Sequence, residues 1–422
     1  MHVMTKFSAC LGLALCCLIG ILVLIIGIPA GCVRFPEPDG EPTPPEEAEY
    51  VGRNTCLACH PNLSNQHDLH GHSQALNRIE GAPPAYPAEV ERAGVPEPPP
   101  GFEWFDISYV IDGYTKGARF VDEQGYVLMD EETDEPIRYT LPNDLLGREG
   151  QFVPPDPQQI SRQPFTFENF RRWTTGAMSL AENGGRNQDN LPGIQGTWAE
   201  PGVQCEECHG PGSRHLINPE AGNIEVDGSS ADCANCHIHP DNSNTLVADN
   251  NFIVGLQQYT EVQASPHRDF SCTVCHDPHT SVIYEQSEAI RNECQDCHSE
   301  YDMAFHEGFV FEKGDYRETL TCKSCHMPFA VKRAVGETFE IPPGQTVRIG
   351  DTRSHLVTID VDALGSLDMF SMDGTEVVRD ENGMASVTAC YVCQRCHNGR
   401  GNAFPLTPDE GCTIARLLHV EP

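Results

Sequence analysis

Apolar and polar positions divide the chain into unlike stretches. Lys6 precedes a nearly unbroken apolar run from Ala9 to Ile28, and Pro29-Ala30-Gly31-Cys32 follows. A run of about 20 apolar residues can just span a bilayer and exceeds the usual secretory core. Residues 1–32 are therefore expected to anchor the chain, as a transmembrane helix or as a lipoprotein signal with lipid on Cys32. Pro29 stands where the lipoprotein pattern usually has Leu or Val. Cys10, Cys16 and Cys17 read as small hydrophobes within the run. Residues 33–49 (VRFPEPDGEPTPPEEAE) have the composition of an extended, solvated linker.

Further on the pattern changes to period two. Ile107 to Ile111, Tyr114 to Val121 and Tyr126 to Met129 are β-rich, separated by Asp112-Gly113 and by Asp122-Glu123-Gln124-Gly125. Such runs with Asp-Gly and Gly-ended turns predict a small antiparallel meander. Its flanks, PPAYPAEV and GVPEPPPGF, are loops. Gln345 to Ile349 and Leu356 to Val361 predict a second strand pair.

Composition adds two exclusions. The chain has 62 acidic against 27 basic residues, a net charge of −35, and no basic run, which excludes nucleic acid as a partner. Only 8% of residues are aromatic, and 33 Pro with 37 Gly demand many turns, so a core of side chains alone would be thin. Another filler is needed.

The cysteines supply it. Fourteen of 20 Cys fall in seven copies of Cys-x-x-Cys-His. These are Cys56, Cys59 and His60; Cys205, Cys208 and His209; Cys233, Cys236 and His237; Cys272, Cys275 and His276; Cys294, Cys297 and His298; Cys322, Cys325 and His326; and Cys393, Cys396 and His397. The spacing is the c-type haem attachment signature: two thiols add to the vinyl groups, and the next His turns under the ring as proximal iron ligand. Structural zinc requires no His after every second Cys, and a redox Cys-x-x-Cys would occur once beside a βαβ pattern. Seven covalent haem c groups are expected, attached outside the cytoplasm. Localisation on the periplasmic or cell-surface side of the membrane follows.

Five motifs crowd residues 205–326 at irregular intervals, too densely for an ordinary core and too unevenly for a tandem repeat. The expected fold is mainly short α-helices and loops wrapped around a packed multihaem core, with the small meander inserted. Residues 50–204 would hold the first haem and the insert, and residues 205–422 the other six.

An iron with a second His is saturated and suits electron transfer, whereas an open position invites substrate. His72, His215, His239, His267, His279, His306 and His355 are candidate distal ligands, with one of His67, His70 and His72 expected to ligate and His419 a weaker candidate. His279, three residues after His276, is too close for that iron's other face and should serve a neighbour. His267 and His215 follow the same logic.

With these residues in view, the chain resembles the cytochrome c-554-like group of multihaem cytochromes. The resemblance rests on YVGRNTCLACH, GHSQALN, SYVIDGYTKGARFVDEQGY, GTWAEPGVQCEECHGPGSRH, QASPHRDFSCTVCHDPH, TCKSCHMPFAVKRA and GDTRSHLVTID, in that order across most of residues 50–400. It implies distal roles for His72 and His355. Relatives often carry a further motif just before Thr-Thr-Gly; here Asn169, Arg172 and Trp173 stand where Cys, Cys and His would be, which implies a lost haem site.

Cys390 and Cys412 remain. Only Cys393 and Cys396 precede His397 correctly, so a Cys390–Cys412 disulfide is expected in an oxidising compartment. The acidity keeps the surface soluble and would select a basic redox partner. The primary expectation is a membrane-tethered electron-transfer cytochrome of a respiratory chain, with unnamed donor and acceptor proteins. The alternative is an oxidoreductase with one open haem acting on nitrite, hydroxylamine or tetrathionate; no Cys-x-x-Cys-Lys variant is present. Haem-to-haem contact with other copies is a third possibility.

Overall fold

The apolar run Ile107–Asp112 seeds the largest element, because both of its faces are buried. The computed structural model describes residues 47–417, apart from 91–92, 155–158, 226–227, 240–244, 302, 304–305, 343, 364 and 366. The N-terminal anchor, most of the linker and His419 lie outside the described residues. Among the described residues no helix is long and apolar enough to cross a membrane. Contacts divide the chain into residues 1–43 and 44–422, and everything below concerns the second unit.

Strands β1 (Leu76–Arg78), β2 (Ile107–Asp112), β3 (Gly117–Asp122), β4 (Tyr126–Asp130), β5 (Arg138–Thr140), β6 (Gln151–Val153) and β7 (Ile160–Thr166) are followed by β8 (Thr174–Thr175), β9 (Met178–Ser179) and β10 (Ile194–Thr197). All but β8 form one sheet, in the order β1-β2-β3-β4-β7-β10-β9, with β5 attached to β3 and β6 to β5. The predicted meander is its centre, β2 to β4. The sheet is mixed, because β10 runs parallel to β7. Period two sends Val110, Ala118, Phe120 and Leu128 into one cluster, and Tyr109, Ile111 and Val121 into another with Phe165, Phe170 and Trp198. At the β2–β3 turn, Asp112 (φ 61°) accepts from Tyr114 N at 3.0 Å and Thr115 N at 2.9 Å.

Strand β11 (Glu200–Pro201) pairs with β8. A four-stranded sheet joins β12 (Ala248–Asp249), β13 (Phe252–Val254), β16 (Val331–Ile341) and β17 (Gln345–Thr352), while β14 (Val310–Lys313) and β15 (Tyr316–Thr319) form a hairpin. The expectation of mainly short helices is thus corrected to a mixed, sheet-rich fold. The expected pairing of Gln345–Ile349 with Leu356–Val361 is also corrected. The partner is β16, whose alternation is broken by Gly336 and by a bulge between Val331 and Gly336. Asp351 fills that bulge, accepting from the backbone N–H groups of Arg333, Ala334 and Val335 at 2.8–2.9 Å.

Between residues 205 and 326 the helices are only four to six residues long. Residues 291–301 are all exposed. Core side chains there are confined to stretches such as Leu246, Ala248, Ile253 and Ala264, and Phe311 with Leu320, carried largely by β12 to β15 and their flanks.

Candidate haem-binding array

Each motif is presented by a short helical turn, which puts the two thiols three residues apart on one side, as in Cys205–His209 and Cys322–His326. Several of these turns start with side-chain caps. Ser324 Oγ accepts from Thr321 N at 3.1 Å at the start of one, and Ser271 accepts from Thr273 N in another. The following His stands at the end of the turn, as the last helical residue in Cys205–His209 and Cys322–His326.

Four proximal rings have a defined outer partner. His209 Nδ1 lies 2.6 Å from Glu225 O, His326 Nδ1 2.8 Å from Val357 O, and His397 Nδ1 2.6 Å from Phe404 O. His237 Nδ1 lies 3.1 Å from Gln258 Oε1. An oxygen acceptor holds the proton on Nδ1 and leaves the Nε2 lone pair for a metal.

Six proximal rings face a second imidazole. The centroid separations are 6.3 Å for His60 and His215, 6.1 Å for His209 and His279, 6.0 Å for His237 and His72, 6.2 Å for His276 and His355, 6.1 Å for His298 and His267, and 6.2 Å for His397 and His306. Two metal–nitrogen bonds of about 2 Å each and two ring half-widths of about 1.1 Å give about 6.2 Å, so each pair fits one iron between the rings. The interplanar angles range from 8° for His209 and His279 to 79° for His397 and His306. Burial holds His355 at about 3 and His72 well below the ordinary imidazole range, so both stay in the neutral, metal-binding form.

His239 belongs to none of these six pairs. His70 Nδ1 accepts from His72 N at 3.0 Å, which puts its proton on Nε2 and makes it a support for the His72 backbone. His67 is buried, and its ring stacks on His70 at 6.0 Å.

Thiols of motifs successive in the chain lie near one another. The first thiol of one motif comes within electrostatic reach of the first thiol of the next at Cys56 and Cys205, at Cys233 and Cys272, and at Cys294 and Cys322. Second thiols are within the same reach at Cys208 and Cys236 and at Cys275 and Cys297, while Cys325 acts on both Cys393 and Cys396. A cavity of about 240 Å³ between two motifs is lined by Cys294, Leu320 and Cys322, among others. Among the described residues no three His, Cys, Asp or Glu converge on a single metal, so the donor set is not that of structural zinc.

Polar bridges that sequence reasoning missed fix neighbouring motifs together. Glu206, inside the second motif, accepts from Val51 N, Gly52 N and Gly212 N at 2.7–3.1 Å and so docks the segment leading into the first. Glu318 receives Arg353 at 2.7 Å and Arg395 at 2.6 Å, tying the sixth motif to the seventh. Burial alone would raise the Glu318 carboxyl, but the two guanidinium groups, with Ser324 and Tyr316, hold it at about 2. No motif pattern marks such a bridge; its one sequence signal is Arg395 standing between the two thiols Cys393 and Cys396.

The Asn169–Trp173 stretch is closed. Phe170 is buried, Trp173 packs on the cluster of Tyr109, Phe165 and Trp198, and Arg172 donates to Cys236 O at 3.2 Å and Ile238 O at 2.9 Å.

Repeated thioether-forming motifs, imidazoles held in the metal-binding tautomer and a second imidazole opposite six of them define the class of protein: a multihaem c-type cytochrome. Comparison with known proteins gives relatives of that class. The chain is 26% identical over 257 residues to the dissimilatory sulfite reductase MccA of Wolinella succinogenes, a match covering 49% of this chain and 34% of that protein. The match thus spans about a third of the relative's length. Among solved structures, the octaheme sulfite reductase MccA of W. succinogenes superposes with a TM-score of 0.49 at 17% identity, over 84% of this chain and 68% of that one. The outer cell wall cytochrome OcwA gives 0.44 at 15% identity, over 87% and 86%. No protein-family model matches the chain.

Proposed function

We propose that this chain is an extracytoplasmic electron-transfer cytochrome of a respiratory chain. In this reading it carries seven covalent haems, is related to the c-554-like group, and is tethered to the membrane by residues 1–32. The observation that carries the reading is the set of six facing imidazole pairs: with both axial positions filled by His, an iron exchanges electrons and does not take substrate. The macrocycles supply one-electron exchange at iron. The protein supplies the rest: His side chains would hold the iron, backbone carbonyl oxygens keep the His209, His326 and His397 rings in the metal-binding tautomer, and the motif thiols would be the attachment points. The net charge of −35 suits a basic partner.

A second reading is favoured by the similarity to a sulfite reductase: an oxidoreductase with one open haem acting on a small nitrogen or sulfur compound. Electron paramagnetic resonance of the oxidised holoprotein separates the two. Low-spin signals that are unmoved by sulfite, nitrite or hydroxylamine are expected for a carrier. A stoichiometric high-spin ferric signal that shifts with one of these ligands would replace the first reading with the second.

A further inference from the structure

Near the third motif lies a group of mostly half-buried cations whose partners can be accounted for one by one. Arg333 Nη2 bonds Asp112 Oδ2 at 3.2 Å, and Lys116 Nζ donates to Asp351 O at 2.6 Å. Arg138 donates to Ala334 O at 3.4 Å and lies near the exposed Glu135. Arg172 is taken up by Cys236 O and Ile238 O. Arg119 is different. Its guanidinium stacks on Trp173, 5.0 Å from the ring centre, and makes no hydrogen bond among the described residues.

Asp112 attracts it through its charge, but neither Asp112 nor Asp351 makes a hydrogen bond to it among the described residues. Asp112 is occupied by Tyr114 N, Thr115 N, the Thr115 hydroxyl and Arg333. Asp351 is occupied by three backbone N–H groups of the β16 bulge. Burial and the neighbouring Arg138 pull Arg119 down to about 10, yet it remains a cation at neutral pH. The side chain is half-buried and its nitrogens are not sealed off, so its unused donors open onto space that an anion can fill.

The position selects which anion. Arg333, within electrostatic reach of Arg119, also acts on both His72 and His237. Trp173, under Arg119, adjoins Arg172, which holds the carbonyls on either side of His237. We propose that Arg119 receives a carboxylate of the macrocycle attached at Cys233 and Cys236, and with Arg333 makes this haem more oxidising than it would otherwise be. The proposal rests on the reading of His237 and His72 as the ligands of that iron. Neutralising a carboxylate near iron removes negative charge that would favour the ferric state, so losing Arg119 stabilises the oxidised form.

The test uses the holoprotein. Potentiometric titration followed by electron paramagnetic resonance gives the midpoints, and the signal altered by His72→Met marks the haem in question. Arg119→Gln is expected to move that midpoint, and no other, to more negative potential. Arg119→Lys should keep most of the wild-type value, and Arg333→Gln should shift the same haem in the same direction, which covers the case that Arg119→Gln does not mature. Unchanged midpoints in the Gln variants, with haem content intact, would overturn the role of Arg119. A wild-type midpoint that moves on adding sulfate or sulfite, while that of Arg119→Gln stays put, would overturn it in favour of a diffusible oxyanion. His72→Met altering no signal would instead overturn the ligand assignment, and with it the choice of haem.

Discussion

Residues 76–197 and residues 205–326 solve the same problem in opposite ways. The first stretch has fully buried aromatic side chains, Tyr109, Phe120, Phe165 and Phe170 among them, packed on both faces of a nine-stranded sheet. The second has helices of four to six residues, far below the about 12 at which an isolated helix becomes even marginally stable. In the proposed reading, its short turns are held by the macrocycles that their thiols and imidazoles would bind. Where the cofactor is the interior, side chains need only grip it, and the polypeptide loses its periodicity.

Preventing haem attachment should break this contrast most strongly. Hydrogen exchange of chain made without the attachment machinery is expected to find residues 205–326 unprotected, while β2, β3 and β4 keep slow amides. Equal loss of protection in both stretches would mean that the sheet, too, depends on the cofactor. Next in size, Phe120→Ala should cost about 3–5 kcal/mol, read as lost protection of the sheet, with the Soret band unchanged.

Glu318→Gln leaves Arg353 and Arg395 without their shared counter-ion and should cost about 3 kcal/mol, read by thermal unfolding. The sign of the pH effect follows from a carboxyl depressed in the folded state to about 2. Its contribution is complete above the unfolded value of about 4.3 and is lost as pH falls toward 2. The variant should lack that part of the acid destabilisation. Smaller again is the pair Cys390 and Cys412, both buried and in side-by-side contact. Alkylation under non-reducing conditions should leave both unmodified, and Cys412→Ser should cost about 2 kcal/mol.

The chemistry was far more legible in the sequence than the architecture. Every attachment thiol and proximal His is written in the spacing, because covalent geometry demands three residues in fixed order. The candidates His72, His215, His267, His279, His306 and His355 were visible from local context, but which ring faces which depends on how distant segments fold together. His355, for example, comes from beyond β17 to meet His276. The sheet was under-read because β7 carries Pro164 and polar residues and β16 breaks its alternation at a bulge, so neither shows a clean period of two. The Glu318 bridge left almost no sequence trace, since ion pairs carry no periodicity.

The central claim is that macrocycles bonded to the chain at its seven motifs take the place of a side-chain core. The intact mass of purified native protein, with proteolytic mapping of each modified peptide, tests it most directly. Seven covalent haems are expected, one on each Cys-x-x-Cys-His peptide and none on the peptide containing Asn169 to Trp173. Free thiols at any motif of the native protein, or an eighth haem elsewhere, would contradict it.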